Sequence, residues 1–308
     1  MKRALITGGA GFIGSHVADA LLDKGFYVEI VDNLYTGLKK NVPGKAVFHE
    51  MDIRDAAMDE IFQEGKFDIV YHLAAQMDIR KSVADPAFDA EANIIGGINL
   101  LQMCKKYKIK KVVFSSTCAS YGEQISFPAP ESHPQNPASP YGITKLAFEK
   151  YLYFYLKEFG LKFVILRYAN IYGPRQRSDG EGGVVAIFFE RLLAGKKAFI
   201  YGDGNQTRDL TYVGDVVNAN LMAMDCDRCE AFNVSTGQET TINSLFDIMK
   251  DLTGSNQEKI YQPPREGETM RSVLDSSKIR SSMEWRPQHD LQSGLAKTAE
   301  FFRAKILS

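Results

Sequence analysis

The chain has little cysteine, almost no net charge and no long apolar run, and each shortage excludes something. Four cysteines in 308 residues are too few for a disulfide scaffold and point to a reducing, cytoplasmic setting. Cys226 and Cys229 form a CxxC, but no second pair joins them, so they supply only half of a structural zinc site. No metal is expected. Thirty-seven basic residues against thirty-eight acidic ones leave a formal charge of −1, which gives no overall field to recruit nucleic acid or an anionic membrane. No run approaches the ~18 apolar residues of a membrane span. The first residues turn glycine-rich at Gly8 and Gly9 before a signal-peptide core could form.

What is present is an ordinary globular composition, 44% hydrophobic and 24% charged. Short apolar runs alternate with helical stretches through the first half. Strands are expected at Ala4-Leu5-Ile6, Tyr27–Val31 closing at Asp32, Ala46–Phe48, Ile69–Leu73, Lys111–Phe114 and Phe163–Leu166. Helices are expected at Phe12–Lys24 and near 55–64, 87–108 and 142–159. Strands of this length separated by helices predict a doubly wound parallel α/β (Rossmann) sheet covered on both faces. The alternation weakens after Gly173-Pro174. Residues 1–174 are expected to form the dinucleotide-binding domain, with later strands near 209–236 returning to it. Residues 175–308 are expected to form a smaller interleaved lobe with helices at Val184–Leu193 and from Thr240, capped by Thr241 or Asn243. Trp285 is expected to pack within that lobe, and the five prolines of 128–140 predict an irregular loop.

The glycines Gly8, Gly11 and Gly14 follow the first strand and open the first helix. Glycines there allow a tight turn and close backbone approach, and a helix N-terminus favours a pyrophosphate. Asp32 ends the second strand, 18 residues after Gly14, where a carboxylate can accept from both ribose hydroxyls. A 2′-phosphate would meet that negative charge, so NAD is favoured over NADP. The fifth strand runs into Ser115-Ser116-Thr117, at the end where parallel sheets bind ligands. Tyr141 and Lys145 stand four apart on a helix and can project to one site. A lysine ammonium and a nicotinamide cation near the phenol would draw its pKa from ~10 toward neutral.

The glycine pattern, Asp32, Thr117, Tyr141 and Lys145 resemble the extended short-chain dehydrogenases/reductases. Further motifs carry the likeness nearly end to end: His72–Gln76, Arg167–Gln176, Tyr201–Gly204, Arg208-Asp209 and Asn233–Gly237. Within that family the chain is most similar to UDP-hexose 4-epimerases. The resemblance implies Thr117, Tyr141 and Lys145 as catalytic residues, with Tyr141 and Lys145 also contacting NAD and Thr117 also contacting the substrate. It adds Phe12, Ile13, Asn33, Thr36, Gly37, Asp52, Ile53, Leu73, Ala74, Ala75, Gln76, Asn93 and Tyr168 as NAD contacts. It implies Asn170, Val184, Tyr201, Arg208, Arg265, Glu268 and Ser272 on the substrate side, with the two arginines on the diphosphate and Tyr201 on the uracil. His72 is read as a buried structural residue.

Related dehydratases and decarboxylases carry acids after the strand-end threonine, where this chain has Cys118 and Ala119. Their absence argues against both chemistries, since dehydration would lack a proton transfer worth ~10²–10⁴-fold. The implied reaction is a C4 epimerisation: Tyr141 takes the hydroxyl proton, hydride leaves C4 and returns to the other face of a 4-keto sugar, and NAD is regenerated in place. Ser272, four residues beyond Glu268, stands where relatives restricted to plain hexoses often have tyrosine. This predicts activity on UDP-N-acetylglucosamine and UDP-N-acetylgalactosamine besides UDP-glucose and UDP-galactose. The alternatives are a 4-epimerase of UDP-glucuronate or of a non-uridine sugar nucleotide, and a non-catalytic NAD-binding regulator. In relatives the helices near 91–107 and 145–159 form a homodimer interface, and those of this chain carry apolar residues, so the resemblance implies a homodimer.

Overall fold

Seven apolar runs pair in parallel into one sheet: β1 (Arg3–Thr7), β2 (Tyr27–Asp32), β3 (Val47–Glu50), β4 (Ile69–His72), β5 (Lys111–Thr117), β6 (Lys162–Tyr168) and β7 (Ala231–Val234). The spatial order is β7-β6-β5-β4-β1-β2-β3. The computed structural model describes residues 1–179, 183–264 and 269–307. Successive strand side chains point to opposite faces, which divides the core in two. Ala4, Ile6, Val28 and Ile30 enter one layer, and Leu5, Val31, Val70 and Val112 enter the other. Helices Phe12–Asp23 and Val213–Asp225 cover the first layer, while Met58–Gly65, Gly96–Lys106 and Pro140–Phe159 cover the second. The fold is therefore the doubly wound Rossmann sheet. Its strand order reverses between β1 and β4, and the crevice there is where such sheets bind ligands.

The helix expected over 87–108 is interrupted. Pro86–Ala90 passes into a π-helical turn at Glu91–Ile95 before Gly96–Lys106 continues. Such a turn re-aims a side chain, and here it buries Asn93 against the β4 side of the site.

A third hydrophobic cluster joins helices Val184–Leu193, Ile242–Thr253 and Leu291–Leu307 around Phe188, Phe189, Phe246 and Phe302. Thr241 caps the second of these, accepting from the Ser244 amide at 3.1 Å. Short strand pairs frame this region: Asn170–Tyr172 with Leu210–Tyr212, Phe199–Tyr201 with Ile260–Gln262, and Thr207–Arg208 between Thr240–Thr241 and Arg271–Ser272. Trp285 does not pack in this cluster as expected. It is fully buried in the first sheet layer with Val216 and Phe232, and its indole N–H donates to the Asp215 carbonyl at 3.0 Å. Its polar handle needs an acceptor once buried, and the helix Val213–Asp225 supplies one.

Candidate functional site

The turn after β1 is built for close approach. A Cβ on Gly8, which has φ +75°, would lie 2.6 Å from the Ala74 amide nitrogen, and one on Gly14 would lie 2.2 Å from the Gly8 carbonyl oxygen. The backbone therefore passes directly beneath a cavity of about 310 Å³ at the carboxyl ends of β1, β2, β4 and β5. Gly8, Gly11, Phe12, Ile13 and Gly14 form its floor, and Leu73, Ala74, Ala75 and Gln76 form one wall.

Asp32 lines the cavity from the end of β2 and is buried. Its carboxylate accepts from the Ala10 amide at 3.0 Å and the Leu34 amide at 2.9 Å. Burial pushes its pKa up from the usual carboxylate range, against the pull of those two amides. Gly37 does not line the cavity. It packs behind this group, where a Cβ would lie 2.6 Å from the carboxylate. Asn33, Thr36, Asp52 and Ile53 line the same end. Asn33 donates to Asp52 at 2.8 Å, and the Arg54 guanidinium grips that carboxylate at 2.9 Å, holding its pKa down at about 2.

Asn93 stands behind the wall rather than on it. Its amide accepts from the Gln76 backbone N–H at 2.8 Å and donates to the Gln76 carbonyl at 2.9 Å, so it shapes the wall through Gln76. His72, buried at the end of β4, bonds Thr7 Oγ1 through Nδ1 at 2.8 Å and lies between the Phe114 and Phe148 rings. Burial holds it neutral, with its pKa lowered to about 3.

Thr117, Tyr141 and Lys145 meet at the inner end of the cavity with Tyr168. Ser139 caps the helix Pro140–Phe159, accepting from the Gly142 amide at 3.2 Å, and Pro140 stands at its first position. That start sets Tyr141 and Lys145 one turn apart on the cavity side. The Tyr141 hydroxyl is bonded to Thr117. Thr117 Oγ1 also accepts from the Ala119 amide at 3.2 Å.

The expected depression of the Tyr141 pKa is not found in the chain itself. Burial raises it strongly, opposed by the Thr117 bond and reinforced by Cys118 and Asp89. Lys145 carries the complementary shift: burial draws its pKa down to about 7, opposed by Glu149 and Asp89. Its amine lies 4.4 Å from the Phe114 ring centroid and has no hydrogen-bond acceptor among the described residues. Tyr168, whose hydroxyl accepts from Asn220 at 2.8 Å, is likewise held neutral by burial.

A second cavity of about 210 Å³ adjoins the first and shares Ile171 and Gln176 with it. Asn170, Val184, Tyr201 and Arg208 line it. Ser272 lines neither cavity. It pairs with Arg208 across the short strands and hydrogen-bonds Cys118, the residue after Thr117. Arg265 and Glu268 lie outside the described residues. Asp209, fully buried, ties this region together by accepting from the Thr236 amide at 3.0 Å, the Thr236 hydroxyl at 2.7 Å and the Gly237 amide at 3.0 Å.

Sequence reasoning does not assign Gln176, Ile171, Tyr35, Arg54 or Phe88, all of which line the larger cavity. Gln176 closes the Arg167–Gln176 motif, which is the signal that could have found it. Ile171 lies within the same motif, while Tyr35, Arg54 and Phe88 carry no local pattern.

The cavity floor, the Asp32 carboxylate and the Lys145 amine fit a dinucleotide diphosphate, its ribose and a second ribose. Comparison with known proteins agrees. The model of the NAD dependent epimerase/dehydratase family matches residues 4–235. The chain is 48% identical to the UDP-glucose 4-epimerase crystallised with UDP-glucose from Thermotoga maritima, with TM-score 0.97 and 99% of each chain covered. It is 43% identical to the Thermus thermophilus UDP-glucose 4-epimerase in complex with NAD, with TM-score 0.93 over 98% of this chain and 99% of that one. It is 36% identical to the UDP-N-acetylglucosamine 4-epimerase from Methanobrevibacter ruminantium M1 in complex with UDP-N-acetylmuramic acid, with TM-score 0.94 over 99% of each. The chain belongs to the NAD dependent epimerase/dehydratase family.

Proposed function

We propose that the protein is a UDP-sugar 4-epimerase that keeps NAD bound and interconverts UDP-glucose and UDP-galactose, and also their N-acetylamino counterparts. The observation that carries this reading is the junction of the two cavities. Thr117, Tyr141 and Lys145 stand at the inner end of the larger one, and Asn170, Tyr201 and Arg208 line the smaller one beside it.

NAD, when bound, supplies the acceptor for the sugar's C4 hydride and the donor that returns it. Tyr141 takes the C4 hydroxyl proton and gives one back, with Thr117 bridging it to the sugar oxygen. Lys145 turns its amine to the cofactor ribose and lends positive charge to the phenol. Arg208 holds the diphosphate, whose oxygens suit a planar donor fork, while the sugar presents one face and then the other. Cys118 is bonded to Ser272 and Thr117, and Ala119 brings no acid, so water elimination has no proton donor at this strand end.

The chain has no helix long and apolar enough to cross a membrane among its described residues. Exposed Ile95, Ile143, Tyr153 and Phe154 form the homodimer contact on this reading. Sedimentation at twice the 34.4 kDa chain mass supports that contact.

The test is incubation of the purified protein with UDP-galactose and with UDP-N-acetylgalactosamine, without added NAD, and separation of the products by anion exchange. Conversion of both is the expected result. Conversion of UDP-galactose alone removes the N-acetyl claim, and no conversion even with added NAD overturns the reading.

A further inference from the structure

Arg177 reaches across the fold to the loop 33–37, yet it does not itself line the cavity that this loop helps to enclose. The loop leaves β2 just past Asp32, the carboxylate placed for the adenosine ribose. Asn33, Tyr35 and Thr36 line the larger cavity and are also exposed on its outside. At this end the loop is therefore a thin wall between the cavity and water. Its two ends are fixed: the Asn33 side chain donates to Asp52 at 2.8 Å, and the Leu38 amide donates to the Ala10 carbonyl at 3.0 Å.

Between those anchors, side chains from two other parts of the chain hold the loop. On Tyr35, the Phe88 ring lies 5.6 Å away between centroids, and Lys81 Nζ donates to the hydroxyl at 3.3 Å. On Thr36, Arg177 Nη1 donates to the backbone carbonyl at 2.9 Å from 141 residues further along the chain. Tyr35 and Phe88 line the cavity, so a change at either alters the cavity surface directly. Arg177 is free of that ambiguity.

Arg177 is itself held firmly. Its Nε donates to Asp179 Oδ1 at 2.7 Å and its Nη2 to Oδ2 of the same carboxylate, which fixes the guanidinium plane. The segment that carries it is tied to the helix Phe12–Asp23 at two points. The His16 ring donates from Nε2 to the Pro174 carbonyl at 2.9 Å, and Arg175 Nη1 lies 2.7 Å from Asp19 Oδ2. Gln176, beside Arg177, lines both cavities, so the segment runs along the site rather than away from it. Helix, segment and loop are thus joined in series, and the last joint is one hydrogen bond from an exposed guanidinium.

We propose that Arg177 is a positioning residue that latches the loop 33–37 over the adenosine end of the cavity and so sets the rate at which NAD enters and leaves. It acts through the Thr36 carbonyl. A latch that holds the loop equally with and without the cofactor slows entry and exit by one factor and leaves affinity alone. A residue that shaped the site would change affinity instead. The inference rests on the part of the proposed function that keeps NAD bound, and not on the sugar reaction.

The test is NAD exchange on the loaded protein. Protein carrying radiolabelled NAD is diluted into excess unlabelled NAD, the retained label is read by rapid filtration, and equilibrium dialysis gives Kd. Arg177→Met is expected to release NAD about 3–10-fold faster, the weight of one hydrogen bond, with Kd unchanged. Asp179→Asn, which keeps the guanidinium but loosens its orientation, is expected to move the release rate the same way by less. Lys106→Met, which removes an exposed ion pair with Asp59, is expected to change neither quantity, because neither residue lines the cavity.

Unchanged release in Arg177→Met overturns the proposal. So does a Kd that rises in step with the release rate, since Arg177 would then shape the site rather than latch it. Equal acceleration in Lys106→Met overturns it too, as a general loosening of the fold. Absence of epimerase turnover in the parent protein sinks the sugar reaction and leaves the exchange rates to decide this inference alone.

Discussion

Gly14 sits so close to Gly8 that a Cβ on it would lie 2.2 Å from the Gly8 carbonyl oxygen. The obstacle is backbone, which has no rotamer to escape into. Gly14→Ala must therefore push the helix Phe12–Asp23 away from the turn that floors the larger cavity. The expected outcome is a protein destabilised by about 1–3 kcal/mol that retains much less nucleotide after purification. Thermal unfolding and the NAD released on denaturation measure both. Full retention would mean that the turn tolerates displacement and that the floor is not what grips the diphosphate.

Tyr141→Phe removes the hydroxyl bonded to Thr117 while keeping the ring in its buried seat. Turnover is expected to fall by ~10²–10⁴-fold, the usual weight of a positioned proton transfer. NAD content should stay near that of the parent, because the cofactor floor and Asp32 are untouched. Steady-state rates and nucleotide content measured on one preparation separate the two. Near-normal turnover would remove Tyr141 from its proposed role.

Local spacing is why so much of this site is legible in the sequence. Gly8, Gly11, Gly14 and Asp32 lie within one strand–helix–strand unit, and Tyr141 and Lys145 lie one helical turn apart. The seven-stranded sheet is legible for the same reason, since its apolar runs are long enough to carry a period. Two- and three-residue strands such as Thr207–Arg208 and Asn170–Tyr172 carry none. Asp89 and Thr144 are 55 residues apart in the chain, so their bond leaves no sequence pattern. Trp285 enters a layer the sequence does not point to, because nothing local marks which of two cores a lone aromatic joins. The direction of the Tyr141 pKa differs for a further reason: sequence names the neighbouring charges but not the depth of burial that outweighs them.

Ser272 pairs with Arg208 and bonds Cys118, so a larger side chain at 272 grows into the region between the strand-end Thr117 and the second cavity. Ser272→Tyr is expected to cut kcat/KM for UDP-N-acetylgalactosamine by about 10–200-fold, a steric discrimination of ordinary size. The value for UDP-galactose should change far less. Equal losses on the two substrates would count against residue 272 as the determinant.

His72 gives the fold a defined acid sensitivity. The unfolded chain protonates this ring near pH 6.5, whereas the buried native ring resists until about pH 3. The native state thus binds fewer protons across that window, and the ring's share of stability is lost as pH falls through it. His72→Gln, which cannot titrate there, should flatten the decline in urea midpoint between those two values by up to one proton's worth of slope. An unchanged slope would show that the ring accepts its proton without unfolding anything.

Arg167 and Glu149 are almost wholly buried and joined by two hydrogen bonds. The Tyr121 hydroxyl accepts from the same guanidinium at 2.9 Å, and Ser116 donates to the carboxylate. Breaking such a pair from one side leaves a charge with no water to receive it. Arg167→Met is therefore expected to cost about 3–5 kcal/mol in urea unfolding. Glu149→Leu together with Arg167→Met removes both charges, and should recover a large part of that loss, because two apolar side chains need no mutual compensation. The sign of the coupling is the decisive quantity. If the double variant is less stable than Arg167→Met alone, the pair contributes through its hydrogen bonds to Ser116 and Tyr121 rather than through charge balance.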